Sequence, residues 1–84
     1  MVSIDYTIYY GELTTNADHA VQSQEAIDLF RDCLGLLPWV EYLFEHQKEI
    51  VVSIHLEQLS LTYDVKIEFY MEPEDETMYY LIHR

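Results

Sequence analysis

Carboxylates at helical spacing are the side chains of this chain whose arrangement most clearly suggests a chemical role. Two rows recur, one at seven-residue and one at four-residue spacing: Asp18, Glu25 and Asp32 with Asp28 adjoining, and Glu41, Glu45 and Glu49. A helix places residues at these spacings on one side, where like charges at i and i+4 destabilise it by about a few tenths of a kcal/mol. Only Lys48 adjoins the second row, so the opposite-sign partners that usually explain such spacing are missing.

Two interpretations of these rows are open from the sequence. The simpler one is a solvated helix face in an acidic protein. The other is an interface, because carboxylates about 6 Å apart on a rigid helix approach the spacing of successive phosphates along a nucleic-acid strand. Tyr9, Tyr70 and Tyr79 are predicted to face solvent, where they would supply the apolar contacts that such an interface needs.

The other reactive side chains form no recognisable site. The histidines are scattered, at His19, His46, His55 and His83, whereas zinc sites show closely spaced Cys and His pairs. Cys33 lies in an apolar helical stripe and is predicted to be a buried thiol rather than a nucleophile. The acidic residues between positions 72 and 76 are predicted to be a solvated hairpin tip rather than cation ligands. We therefore predict no catalytic residue, no metal site, no cofactor and no enzymatic activity.

The net charge limits the partners that the chain can bind. It has 16 Asp and Glu residues against 4 Lys and Arg residues, a formal net charge of −12. A surface that binds nucleic acid or anionic lipid must be basic, so a basic partner protein is expected instead. No apolar run approaches the roughly 20 residues of a membrane span, and no secretory signal is recognised at the start. A single cysteine suits a reducing cytoplasm.

The second half of the chain, residues 49–84, alternates apolar and polar residues almost without interruption, which is typical of strands with one buried face. The register changes after Leu56, and we predict either a tight turn at Glu57 and Gln58, with Leu56 facing Leu59, or a bulge in one bent strand. A second turn is predicted at residues 73–76, before a last strand through Met78, Tyr80 and Ile82. The core residues expected from the alternation are Ile54, Leu61, Val65, Ile67 and Phe69.

The first half indicates a strand followed by two helices. The strand covers residues 2–10, and the first helix is capped by Thr15, Asn16 or Asp18 and runs to about Leu34, with Gly35 just past its end. Its core stripe comprises Val21, Ile27, Phe30 and Leu34, with Ala20, Ala26 and Cys33. The second helix, residues 38–48, begins with proline and places Leu43 in the core. It is apolar around so much of its circumference that it is either sandwiched or contacts a partner. The predicted fold is one α+β domain over residues 1–84, ordered β-α-α-β-β-β, with two helices packed on one face of a mainly antiparallel sheet.

The function predicted from these features is that of a non-enzymatic inhibitor. In size and charge the chain resembles DNA-mimic inhibitors made by phages, such as anti-restriction, anti-CRISPR and uracil-glycosylase inhibitor proteins. It also resembles small acidic immunity proteins that neutralise basic nuclease toxins. Both are resemblances of composition and imply no role for any residue. A DNA mimic acting in the host cytoplasm is the favoured hypothesis; an immunity protein or antitoxin, and a homo-oligomeric structural protein such as a homodimer, are the alternatives.

Overall fold

The computed structural model describes residues 1–83 and has the order β-α-α-β-β-α. The strands are β1 (Val2–Tyr9), β2 (Glu49–Glu57) and β3 (Thr62–Tyr70), and the helices are α1 (His19–Leu34), α2 (Pro38–His46) and α3 (Pro73–Ile82). A short 3-10 turn, Tyr10–Glu12, follows β1. The α+β class predicted from the sequence is confirmed, whereas the predicted final strand is wrong because that segment is α3.

The sheet is antiparallel, with strand order β1-β3-β2. Ile67 of the central strand lies between Ile4 of β1 and Val52 of β2. The alternation predicted the buried face of β3 correctly, since Val65, Ile67 and Phe69 are all at most 2% exposed. β1 and β2 are the two edges of the sheet.

The connection between β2 and β3 differs from both sequence-based alternatives. Leu56 pairs with Tyr63, and the chain turns through residues 58–61 instead of at Glu57 and Gln58. Leu61 adopts a left-handed backbone with φ of 53° and is 59% exposed, and Leu59 is 97% exposed. The predicted core role of Leu61 is therefore wrong. Period-two alternation identifies which face of a strand a residue occupies but not where the strand begins. Leu59 and Leu61 fit the alternation of β3 although they lie in the loop before it, so the strand was predicted to begin too early.

The segment predicted as a turn and a last strand is helical, because its first residues are types that favour the N-terminus of a helix. Pro73 occupies the first turn, and Glu74, Asp75 and Glu76 follow it there. The positive end of the helix dipole favours carboxylates at these positions, and proline has no N–H to lose. The alternation through Met78, Tyr80 and Ile82 covered too few residues to outweigh this start signal.

The first two helices follow the sequence-based boundaries closely. Asp18 is the N-cap of α1, where its Oδ1 atom accepts a hydrogen bond from the Val21 N–H at 2.9 Å. Gly35 lies just past the end of α1 with φ of −63°, a backbone conformation that any residue can adopt. Glycine is required there for a steric reason, because a Cβ atom would collide with the Arg31 carbonyl oxygen. Pro38 opens α2, which ends at His46 rather than at residue 48.

Phe30 of α1 is the centre of the core. Its ring lies 5.8 Å from Tyr6 of β1, 6.1 Å from Phe44 of α2 and 6.4 Å from Phe69 of β3, measured between centroids. Ala26 is buried and Ile27 and Leu34 pack partly against the core, as predicted. Other members of the predicted stripe of α1 are exposed, namely Ala20, Val21 and Cys33. The prediction of a buried thiol is therefore wrong, because Cys33 lies on the flank of the helix rather than beneath it.

The third helix explains why α2 is apolar on so many sides. Trp39 of α2 packs against Tyr79 of α3, with ring centroids 6.5 Å apart, and Tyr42 donates a hydrogen bond to the Asp75 carbonyl oxygen at 2.8 Å. α2 is thus sandwiched between the sheet and α3. All three helices contribute to one core with the inward face of the sheet, and the opposite face is not covered by any element of residues 1–83. No helix in this described part is both long and apolar enough to cross a membrane.

Candidate interaction surface

Three of the carboxylates predicted for the interface serve the fold. Asp18 caps α1, as described above. Glu25 accepts a hydrogen bond from the Thr14 N–H at 2.8 Å and so holds the loop that precedes the helix. Asp28 accepts a bond from the Gln24 side-chain amide at 3.0 Å. The first acidic row is therefore largely occupied by bonds within the chain.

Three of the four carboxylates predicted for a hairpin tip instead hold α3 in place. Glu72 bonds Lys48, which raises the pKa of that lysine, and Asp75 lies 3.7 Å from the His46 ring nitrogen. Glu76 lies 2.6 Å from the amino group of Met1. These contacts join α3 to the end of α2 and to the start of β1.

The carboxylates of Asp32, Glu41 and Glu45 are different, because none has a hydrogen-bond or ion-pair partner within residues 1–83, a property that they share with the exposed carboxylates of Glu49 and Glu74. Glu41 and Glu45 line a depression of about 180 Å³ between the end of α1 and α2. Arg31, which lines it as well, places its guanidinium 4.7 Å above the Phe44 ring and pairs with no carboxylate of residues 1–83. Asp32 is the next residue along α1.

Two of these free carboxylates occupy positions that disfavour negative charge. Asp32 is in the last turn of α1 and Glu45 is in the last turn of α2. The negative end of the helix dipole lies there, and a carboxylate at such a position costs typically about 0.3–1 kcal/mol. Neither carboxylate has a stabilising contact within residues 1–83, and the spacing of the two sequence rows did not reveal this difference from Asp18 and Glu25.

Two exposed leucines lie in the connection between the helices that carry these free carboxylates, and the sequence-based site did not include them. Leu36 is 96% exposed and Leu37 is 40% exposed in the short connection between α1 and α2. We call the group formed by Asp32, Leu36, Leu37, Glu41 and Glu45 the α1–α2 corner. The available signal was a pair of leucines between a helix-ending glycine and a helix-starting proline, where no core position is expected.

The remaining predicted site residues differ in exposure and in position. Tyr9 is 76% exposed and Tyr70 is 39% exposed, as predicted. Tyr79 is only 2% exposed because α3 turns it onto Trp39, and burial raises its pKa, so its predicted role as a solvent-facing anchor is wrong. Glu49 is the first residue of β2 and does not continue the row on α2.

The groups considered for metal binding or catalysis remain apart. Among the described residues no group of three or more His, Cys, Asp or Glu side chains could hold a metal ion. The histidines are all exposed; His83 stacks on Trp39 at 4.7 Å and His46 stacks on Tyr42 at 4.2 Å between ring centroids.

No protein-family model, curated protein or solved structure matches the chain.

Proposed function

We propose that this protein is a non-enzymatic DNA mimic that inhibits a basic protein by occupying its nucleic-acid-binding site. We further propose that it acts in the cytoplasm of a host cell as a phage-type counter-defence protein. The observation that carries it is the α1–α2 corner. Its carboxylates have no partners in the described chain, two of them oppose a helix dipole, and the connection between their two helices exposes Leu36 and Leu37.

Charge placed where it destabilises a fold needs a reason outside the fold. A chain with a net charge of −12 attracts a basic surface over a distance of roughly a Debye length, which accelerates the encounter. Once the two proteins meet, an apolar anchor such as Leu36 would add desolvated contact at the centre of the interface. Charged groups around an apolar centre are a common arrangement in protein interfaces.

An immunity protein or antitoxin would use the same acidic surface against a basic nuclease toxin. The two functions differ in genetic context, because an immunity gene lies beside its toxin gene and an inhibitor of host defence lies among phage genes. The chemistry of the corner supports both equally.

A homo-oligomeric structural protein is supported by a different observation. The outer side of α3 exposes Met78, Leu81 and Ile82 by 50%, 49% and 41%. Association through this surface would be apolar and would persist at high salt, whereas a complex led by charge would weaken. Measuring mass in solution at several salt concentrations distinguishes the two.

The experiment that tests the mimic uses two double variants with the same charge change. Glu41→Gln with Glu45→Gln alters the corner, and Glu68→Gln with Glu74→Gln removes two carboxylates elsewhere. Immobilised parent protein captures its target from a bacterial lysate, and the purified target is then loaded with a fluorescent DNA duplex. We expect the parent and the control variant to displace the DNA, and the corner variant to need at least about tenfold more protein. If parent protein and DNA occupy the target together, the proposal is wrong.

A further inference from the structure

The free edge of β1 has a defined hydrogen-bonding direction. The Tyr10 N–H donates to the Leu61 carbonyl oxygen at 3.0 Å, which continues the register that pairs Ile8 with Tyr63. Because hydrogen-bonded pairs alternate along an antiparallel ladder, the even-numbered residues of β1 direct their backbone groups toward β3. Ser3, Asp5, Thr7 and Tyr9 therefore direct theirs away from the sheet.

One of these outward groups is already blocked. The Tyr9 N–H donates to the Glu12 carboxylate at 2.9 Å, so Glu12 ends the open part of the edge. The outward N–H groups of Ser3, Asp5 and Thr7 have no such partner from another element of residues 1–83. A strand edge with unpaired donors and acceptors is able to accept a further strand.

Helix α1 lies over this edge and forms a groove with it. The Tyr6 hydroxyl donates to the Ala26 carbonyl oxygen at 2.7 Å, which holds the helix across β1. The groove has a volume of about 430 Å³, within the range of peptide and ligand sites, and its apolar lining includes Ile4, Ile8, Leu29 and Leu34. A strand edge beside an apolar groove under a helix is the arrangement in which extended peptides bind by β-augmentation.

We propose that this groove binds an extended segment of a partner protein as a fourth strand beside β1. Alternate residues of that segment are apolar and enter the groove, and the residues between them are Lys or Arg and lie on the open face of the sheet, next to Asp5. Among residues 1–83 the acidic side chains that line the groove are Asp5 and Glu12, and no Lys, Arg or His of this part of the chain lines it; on the open face of the sheet, Lys66 of β3 lies opposite Asp5. Opposite charges on neighbouring strands stabilise such pairing.

A second copy of the chain is the less favourable occupant. Pairing β1 with itself brings together two molecules that each carry a net charge of −12, and it adds a second Asp5 and Glu12 to the same edge. A basic segment removes that repulsion. The groove lies at β1 and is distinct from the α1–α2 corner, so either proposal can fail without the other.

The test measures binding of a blocked nine-residue fluorescent peptide that alternates valine with lysine. Thr7→Pro removes one outward N–H, and proline is tolerated on a strand edge when its missing N–H faced solvent. Thr7→Ala keeps that N–H and is the matched control, since both variants lose the Thr7 hydroxyl. We expect Thr7→Pro to weaken binding about tenfold and Thr7→Ala less than twofold. Equal affinities for the two variants would overturn the proposal.

Two further measurements keep the result interpretable if Thr7→Pro folds poorly. Methylating alternate amides of the peptide should abolish binding for one set and leave it nearly unchanged for the other, because only one set faces β1. Cys33 lines the groove, is exposed and is the only cysteine, so saturating peptide should slow its alkylation several-fold. Tolerance of both methylated sets, or unprotected Cys33, would contradict the proposal. So would a homodimer without peptide that Thr7→Pro dissociates, since the edge would then bind a second copy.

Discussion

The Tyr6 hydroxyl and the Ala26 carbonyl oxygen are joined by a 2.7 Å hydrogen bond that ties β1 to α1. Burial raises the pKa of Tyr6 to about 12, with a further contribution from nearby Cys33, so the folded protein favours the protonated phenol. Only this form can donate to the carbonyl, and the bond is lost when the phenol ionises.

The first prediction is that the protein loses stability in alkaline solution. The folded pKa of Tyr6 lies above its unfolded value of 10.0, so its contribution is complete below pH 10 and is lost between pH 10 and about 12. The loss amounts to at most about 2–3 kcal/mol. Tyr6→Phe should have a smaller decrease in unfolding free energy over this range. Tyr9→Phe, on the same strand with an exposed ring, should behave as the parent does. Urea unfolding at a series of pH values measures all three, and identical slopes for parent and Tyr6→Phe would contradict the prediction.

The second prediction concerns the core. Truncating Ile67 or Phe69 to Ala should lower the free energy of unfolding by about 2–5 kcal/mol, because each side chain is 0% exposed on the central strand. Leu59→Ala is the control, since Leu59 is 97% exposed in the loop before β3 and its loss should change stability by less than about 0.5 kcal/mol. Thermal or chemical unfolding measures the difference. A large effect of Leu59→Ala would instead support the tight-turn register, in which Leu59 faces Leu56.

The contrast between Ile67 and Leu59 shows what alternation can and cannot predict. The apolar face of a long strand is predicted well, because every inward residue of β3 contributes to the same signal. The start of the strand is not, because Leu59 and Leu61 satisfy the same pattern in a loop. Met78, Tyr80 and Ile82 likewise alternate, yet the proline and carboxylates before them start a helix. In that segment the residues that favour the start of a helix outweighed the alternation of apolar residues.

Only part of the candidate surface could be predicted from the sequence. Spacing places carboxylates on a helix face, but it does not reveal which of them have partners elsewhere in the fold. Glu25 is bound by the Thr14 N–H, eleven residues away, while Glu41 and Glu45 have no partner within residues 1–83. Tyr79 was assigned to the surface because its segment was assigned to a strand, and the error in the element became an error in the site.

The third prediction is that salt stabilises the folded protein. The chain has sixteen acidic and four basic residues, so its excess negative charges repel one another. Raising sodium chloride from about 10 mM to about 300 mM shortens the range of that repulsion. The melting temperature should therefore increase. Potassium chloride should have the same effect, which separates screening from binding of a specific ion. A melting temperature that decreases with salt would indicate that ion pairs such as Lys48 with Glu72 outweigh the repulsion.

The last prediction separates carboxylates that stabilise helices from those that oppose them. Asp32→Asn and Glu45→Gln each remove negative charge from a last helical turn, so each should raise the free energy of unfolding by about 0.3–1 kcal/mol at low salt. Glu74→Gln removes the same charge from the first turn of α3 and should lower it by a similar amount, although the general repulsion falls equally in all three variants. Chemical unfolding at low and high salt measures both the sign and its screening. If Asp32→Asn and Glu45→Gln destabilise the protein, these carboxylates serve the fold, and the α1–α2 corner loses the physical argument for a role in binding.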